Sequence, residues 1–243
     1  MNAKTTRLDR LVSKHLGIST RNLRLLFAQK RIRVNGSVEM DRARIVNQFH
    51  LVHLDDKVIQ QNVPYYFMVN KPAGIVSATT DSHHQTVIDL IDHPAADHLH
   101  IVGRLDFNST GLILLTNDGQ WSRKLACPTT KTYKHYRVTL ENALTQEYIS
   151  AFSKGMYFQY EGLVTRPAKL KIIDSHTADV ALTEGRYHQI KRMFGRFQNR
   201  VTHLHRYAVG NIKLDVSLKP GQYRALEPTE IEYFKDNNSF TGI

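Results

Sequence analysis

The chain has 243 residues, 41% of them hydrophobic, with 33 Lys and Arg against 22 Asp and Glu. That length suits one large domain or one domain plus a small one, and the apolar content excludes wholesale disorder. The net charge of +11 points to a polyanionic partner, nucleic acid before an acidic membrane surface. Cys127 is the only cysteine, so an intrachain disulfide is impossible and a reducing cytoplasm is the expected setting. No run of 18 apolar residues occurs, and the polar start MNAKTTRLDR predicts no signal peptide. The 13 histidines (His83-His84, His98-x-His100, His203-x-His205) lack the Cys partners or the helical pair with a Glu that zinc motifs need, so no metal site is expected.

The charge is uneven: residues 1–60 hold 12 Lys and Arg against 5 Asp and Glu. In this first unit Leu8, Leu11, Val12 and Leu16 recur at helical spacing and Gly17 stops the run. Ser19 or Thr20 is placed to cap a second helix carrying Leu23, Leu25, Leu26 and Phe27. Ile32-Arg33-Val34 then runs into Asn35-Gly36, a strong hairpin signal, and on to Val38. Leu51 to Leu54 gives another short strand, and Asp55-Asp56 a turn. Arg7, Arg10, Arg21, Arg24, Arg31 and Arg33 lie among these apolar positions. A solvated face is the common fate of such a charge run, but in so small and positive a unit phosphate contact is the better reading. Residues 58–64 (VIQQNVP) read as a linker broken by Pro64, placing the domain boundary between 61 and 62.

The second unit, 62–243, opens with Tyr65 to Val69, a strand by propensity, and the turn Asn70-Lys71-Pro72-Ala73-Gly74. Thr86 to Ile91 is a candidate helix. From Leu99 the chain reads as buried strand, polar loop (Arg104 to Thr110, between Gly103 and Gly111), buried strand (Leu112 to Leu115) and tight turn (Asn117-Asp118-Gly119). Loops held between buried strands are where catalytic groups tend to sit. Arg104 and Asp106 lie two apart, so in an extended loop they share a face while Leu105 points the other way. Gln120 to Leu125 starts a helix, and Lys134 to Leu140 is a strand. Tyr148, Ile149 and Phe152 mark a helix ending at Gly155. Ala168–Ile173 and Asp179–Thr183 are paired strands, and a basic helix start follows from Glu184 to Phe194.

The string GRLDFNSTGLILLTNDG resembles the catalytic motif of the pseudouridine synthases. Asn108 and Ser109 stand where Asp and Thr are common. The resemblance makes Asp106 the catalytic residue. N-K-P-x-G (Asn70 to Gly74) is similar to the family's entry motif. K-x-Y (Lys134 to Tyr136) resembles its second motif, whose tyrosine, here Tyr136, lies against the target base. EGRYHQIKRM resembles the third, in which a basic side chain, here Lys191, pairs with the catalytic Asp. VTHLHR is similar to the strand whose leucine, here Leu204, shapes the pocket floor, and LKPGQYR resembles the closing motif. Arg104 is expected to support the site by holding phosphate or filling the space a displaced base vacates. Lys71, Arg186 and Arg192 join the six N-terminal arginines as expected RNA contacts. The first unit, through RLDRL, STRN and RIRVNG, resembles an S4 (αL) RNA-binding domain, with Gln29 where that pattern often has Gly.

The resemblance implies an α+β protein: a small S4-like domain plus a catalytic domain with a long, mostly antiparallel mixed sheet flanked by helices. It also implies an isomerase that turns uridine into pseudouridine. That reaction breaks N1–C1′ and joins C5 to C1′ without redox change, so no cofactor is expected. It needs a carboxylate, acting by attack at C1′, by attack at C6, or by removing a proton to open a glycal route. Within the family the strings SATTDSHHQTV, DGQWS and EGRYHQIKRMF look most like members acting on 16S ribosomal RNA of the small subunit. Members acting on 23S ribosomal RNA are the close alternative, and a non-catalytic S4-type RNA- or ribosome-binding protein is the third. The expected partner is ribosomal RNA, for a monomer acting on a pre-ribosomal particle with no membrane involved.

Overall fold

The structure, a computed structural model, describes residues 5–127 and 131–236. The first four residues of the polar start lie outside that range. Two compact units are present, residues 1–64 and 65–243, so the division falls a few residues beyond the boundary expected from sequence.

The first unit runs β1 (Thr6–Arg7), α1 (Leu8–Leu16), α2 (Arg24–Ala28), β2 (Ile32–Val34), β3 (Ser37–Val38), β4 (Ile45–Val46), β5 (Val52–Leu54) and β6 (Lys57–Gln60). A four-stranded antiparallel sheet has the order β3-β2-β5-β6, and β1 pairs with β4. Leu8 and Val12, one turn apart on α1, pack with Leu23, Phe27, Ile32, Val34, Val46 and Val52. Gly17 ends α1 in the left-handed region (φ +67) and returns its N–H to Ser13 O. Asn35 and Gly36 both have positive φ, as a two-residue hairpin turn with the native twist requires.

Two expectations for this unit need correcting, the cap at Ser19 or Thr20 and the linker from residue 58. Neither Ser19 nor Thr20 caps the second helix. A backbone turn, Asn22 N–H to Ser19 O at 3.0 Å, occupies that stretch, and α2 begins only after Leu23. The left-handed turn that a Gly at position 29 would supply is made by Lys30 (φ +60), leaving Gln29 at φ −79. Residues 57–60 are strand rather than linker. Gln60 looks like linker composition, but its amide donates to Asn47 O and His50 O and ties β6 down.

The second unit carries β7 (Tyr66–Lys71), β8 (His100–Val102), β9 (Thr110–Thr116), α3 (Gly119–Ala126), β10 (Lys134–Leu140), α4 (Glu147–Lys154), a small β11 (Tyr157–Phe158) and β12 (Leu163–Val164) hairpin, β13 (Lys169–Ile172), β14 (Thr177–Leu182), α5 (Gln189–Gly195), β15 (Val201–Val209), β16 (Ile212–Lys213), β17 (Tyr223–Ala225) and α6 (Pro228–Asp236). The main sheet runs β13-β14-β10-β15-β9-β7-β17, with β8 on β9 and β16 on β15. Its pairs are antiparallel except β9 with β15. A mixed, mostly antiparallel sheet flanked by helices is thus present.

Both faces of the central strands are covered, which is why β7 and β9 read as unbroken apolar runs. Phe67, Val69, Ile113 and Leu115 face one core with Phe152 of α4 and Ile190, Met193 and Phe194 of α5. Tyr66, Met68, Leu112 and Leu114 face another with Trp121 and Leu125 of α3. The turn Asn117-Asp118-Gly119 leads into the helix expected from Gln120: Asp118 Oδ1 accepts from the N–H groups of Gln120 and Trp121 and caps α3. The helix expected over 86–91 shrinks to a single 3-10 turn, Ile88–Leu90. Thr86 and Asp89 exchange hydrogen bonds around it, and His93-Pro94 follows too soon for a longer helix.

Candidate active site

The parallel junction of β9 and β15 places the polar loop 104–110. Thr110 pairs with His205 and Gly111 with Arg206. Gly111 sits at φ +103, and a Cβ there would lie 2.3 Å from Arg206 O, so the two strands can approach only because this residue has no side chain.

Two buried cations then fix the loop by its carbonyls. Lys71, at the end of β7 and opposite Gly111, is 0% exposed. Its ammonium donates to Pro72 O (2.9 Å), Phe107 O (3.1 Å) and Ser109 O (2.8 Å). Burial pulls its pKa down to about 8, and the nearby Asp106 carboxylate acts in the opposite sense. Arg206, 3% exposed, donates from Nε to Leu112 O (2.8 Å) and from Nη1 to Arg104 O (3.4 Å). Ser77 Oγ adds a bond to Leu105 O at 2.7 Å and accepts from Leu105 N. Leu105 is buried in the core and Asp106 only partly so, and both reach the lining of the same pocket.

Asp106 Oδ2 lies 3.0 Å from Lys191 Nζ on α5, and its Oδ1 lies 3.5 Å from His188 Nε2. Arg104, Asp106, Tyr136 of β10 and Leu204 of β15 line one pocket of about 80 Å³, with Arg186 and His188 on its rim. That is below the roughly 150 Å³ of an engineered cavity that takes one benzene ring, so the pocket admits at most one small ring. The five residues expected at the centre of the site are therefore brought together from β9's loop, β10, β15 and α5. Beside the pocket, sharing Ser109 and Leu204 with it, is a groove of about 680 Å³ bordered by Lys191, Asn108, Arg200 and Thr202.

The expected RNA contacts separate into groups. Lys71 is a correction: buried and spent on three carbonyls, it cannot reach a phosphate. Arg192 is bidentate to Glu161 (2.5 Å to each oxygen) and lies 3.8 Å over the Phe158 ring. Arg186 leans on Glu184 (3.1 Å), a buried carboxylate that also accepts from Gln189 and from the Arg166 N–H. In the first unit Arg7 pairs with Asp9 and Arg31 with Asp55. Arg10, Arg21, Arg24 and Arg33 are exposed and form no ion pair among the described residues.

Arg206, Ser77 and His188 had no expected role. A signal for Arg206 existed: it alternates with His205 and Tyr207 and shares the inner face with Leu204 and Ala208, so a cation was due to be buried there.

A family model described as RNA pseudouridylate synthase matches residues 65–195. The chain belongs to that family. A Pseudomonas aeruginosa protein named ribosomal small subunit pseudouridine synthase A is 47% identical over 226 residues, covering 93% of this chain and 98% of its own. The like-named proteins of Escherichia coli and Haemophilus influenzae are 39% and 37% identical, each again covering 93% of this chain and 98% of its own. A crystal structure of pseudouridylate synthase superposes with a TM-score of 0.69 at 36% identity, over 94% of this chain and 99% of that one. The synthase motifs read from the sequence thus belong to a synthase, and the loop, pocket and cation pair lie within or beside the matched residues.

Proposed function

We propose that this synthase isomerises one specific uridine of 16S ribosomal RNA to pseudouridine, with Asp106 as the catalytic carboxylate. The observation that carries it is the Asp106–Lys191 pair at 3.0 Å in a pocket lined by Tyr136 and Leu204. The choice of the small subunit rests on the names of the relatives. The target base must leave its stack to enter so small a pocket. Tyr136 stacks on it, an interaction worth roughly 1–3 kcal/mol. Lys191 pairs with the Asp106 carboxylate beside the apolar floor made by Leu204 and Leu182. Arg104, its carbonyl pinned by Arg206, has its side chain free to meet phosphate or fill the vacated stack. In the net reaction N1–C1′ breaks, C5–C1′ forms, C5 loses a proton and N1 gains one.

The first unit acts as an S4-like RNA-binding domain, supported by its exposed Arg10, Arg21, Arg24 and Arg33. The groove of about 680 Å³ has no carboxylate in its lining and suits the RNA strand beside the target. The enzyme works as a monomer on a pre-ribosomal particle in the reducing cytoplasm, a setting that its single cysteine suits.

The test is a pseudouridine map of 16S and 23S ribosomal RNA from cells lacking the protein, with and without a plasmid carrying the wild type or Asp106→Asn. Loss of one 16S site, restored only by the wild type, is the expected result. Loss in 23S RNA transfers the substrate to the large subunit. No loss anywhere would leave an RNA-binding module.

A further inference from the structure

His188 belongs to the third motif, yet the proposed chemistry gives it no task. It stands where β14 passes into α5, with φ +49 and ψ +30. Few residues other than glycine adopt that left-handed conformation, histidine among the more tolerant, and at His188 it falls beside the catalytic loop. A glycine would take the same backbone without strain. The position instead carries an imidazole, and the left-handed turn brings that ring over the catalytic loop.

Two contacts define where the ring is. Its Nε2 lies 3.5 Å from Asp106 Oδ1, while Lys191 Nζ takes the other oxygen at 3.0 Å. Its face stacks on Tyr187, with ring centroids 3.8 Å apart and planes 21° from parallel. Lys191 alone leaves the carboxylate free to rotate about its Cβ–Cγ bond. A second donor on the opposite oxygen removes that freedom. The present 3.5 Å is at the outer limit of a hydrogen bond, and such bonds are long in empty sites and tighten when substrate binds.

We propose that His188 is a positioning residue for Asp106: its Nε2–H holds Oδ1 while Lys191 holds Oδ2, fixing the plane of the carboxylate toward the extruded uridine. The strained backbone is the means by which a helix-entry residue reaches the loop. This rests on the catalytic role given to Asp106, so the experiment carries Asp106→Asn as its control.

The measurement is the single-turnover rate constant on 16S ribosomal RNA at saturating enzyme, with RNA affinity determined separately. His188→Gly removes the ring and relaxes the backbone, so a loss cannot come from strain. His188→Asn also tolerates the left-handed region but is too short to reach Asp106. Both are expected to lower the rate constant about ten- to a hundredfold while affinity stays within a few-fold. Millimolar imidazole should restore part of the His188→Gly rate and none of the Asp106→Asn rate. That rescue separates positioning by the ring from a purely structural role. A His188→Gly rate equal to wild type, or a lowered rate that imidazole leaves unchanged, overturns the proposal while Asp106 keeps its place. An active Asp106→Asn overturns both.

Discussion

The basic residues of the two units are the same chemical types put to opposite uses. In the first unit Arg10, Arg21, Arg24 and Arg33 stand exposed without ion pairs among the described residues. In the second, Lys71 and Arg206 are buried and donate to carbonyls of the loop that carries Asp106. A buried cation is costly unless its donors are satisfied; carbonyls accept the three Lys71 bonds and those of Arg206 Nε and Nη1, while Arg206 Nη2 is left without a partner among the described residues. The formal charge of +11 therefore counts two things at once: groups a phosphate can meet, and groups that hold the synthase loop in shape.

If that division is right, chemistry and RNA attraction can be broken separately. The largest effect is expected at Asp106. Asp106→Asn should reduce product to background while RNA affinity stays within a few-fold. Turnover near wild type would remove the residue from its role. Lys191→Met should lower the single-turnover rate constant about a hundredfold, the usual scale for losing one fixed charge-stabilising donor. Lys191→Arg keeps the charge in a different shape and should retain part of the rate.

Next in size is Gly111→Ala. The new Cβ would meet Arg206 O at 2.3 Å, in a backbone region unsuited to an L side chain. Both neighbours are central strands that cannot move aside, so a loss of about 3 kcal/mol or more is expected in urea unfolding, with the first unit unaffected. Gly36, whose Cβ would meet nothing within 4 Å, is the control in the first unit. Equal effects at the two glycines would show that the loop's strand junction is not a tight one.

The sequence made much of this legible and left a definable part out. Lys134–Leu140 was readable from its alternation, and Leu8–Leu16 and the strand–loop–strand around Asp106 from periodicity that agrees with the bounding glycines Gly17, Gly103 and Gly111. The short elements went astray where local bonds overruled composition: Thr86 with Asp89, and Gln60 tying down β6. The centre of the site was reachable through motif resemblance, since Tyr136, Lys191 and Leu204 are far from Asp106 along the chain. Lys71 was misjudged for a physical reason. A lysine next to a turn looks like a surface cation until one knows that β7 is covered on both faces and pairs with Gly111.

The arginines of the first unit should show a smaller, salt-dependent effect. Replacing Arg21, Arg24 and Arg33 with Ala should flatten the dependence of log affinity on log salt by roughly 0.7–0.9 for each RNA phosphate that is no longer neutralised. The rate constant at saturation should be unchanged. An unaltered salt slope would mean that these side chains do not meet the RNA backbone.

The smallest effect, and the one that most directly probes a buried cation, is the pH response of Lys71. Its ammonium has three N–H donors for the carbonyls of Pro72, Phe107 and Ser109. With its pKa pulled down to about 8 by burial, it loses a proton just above neutrality, and the neutral amine has one donor too few for its three carbonyls, two of them in the loop. Global stability moves the other way. An unfolded lysine titrates near 10.4, so between about 8 and that value the unfolded chain binds a proton that the native one lacks, and this group's contribution to stability rises with pH. Below about 8 both states are protonated and the full burial penalty applies. The rate constant should therefore fall up to about tenfold between pH 7 and 9, with no loss of melting temperature traceable to Lys71. Lys71→Gln, which always has two N–H donors, should be slow and flat across that range. The Arg21, Arg24 and Arg33 variant should keep the wild-type step. A flat wild-type profile would mean that Lys71 stays charged, and the same step in Lys71→Gln would assign it to another group.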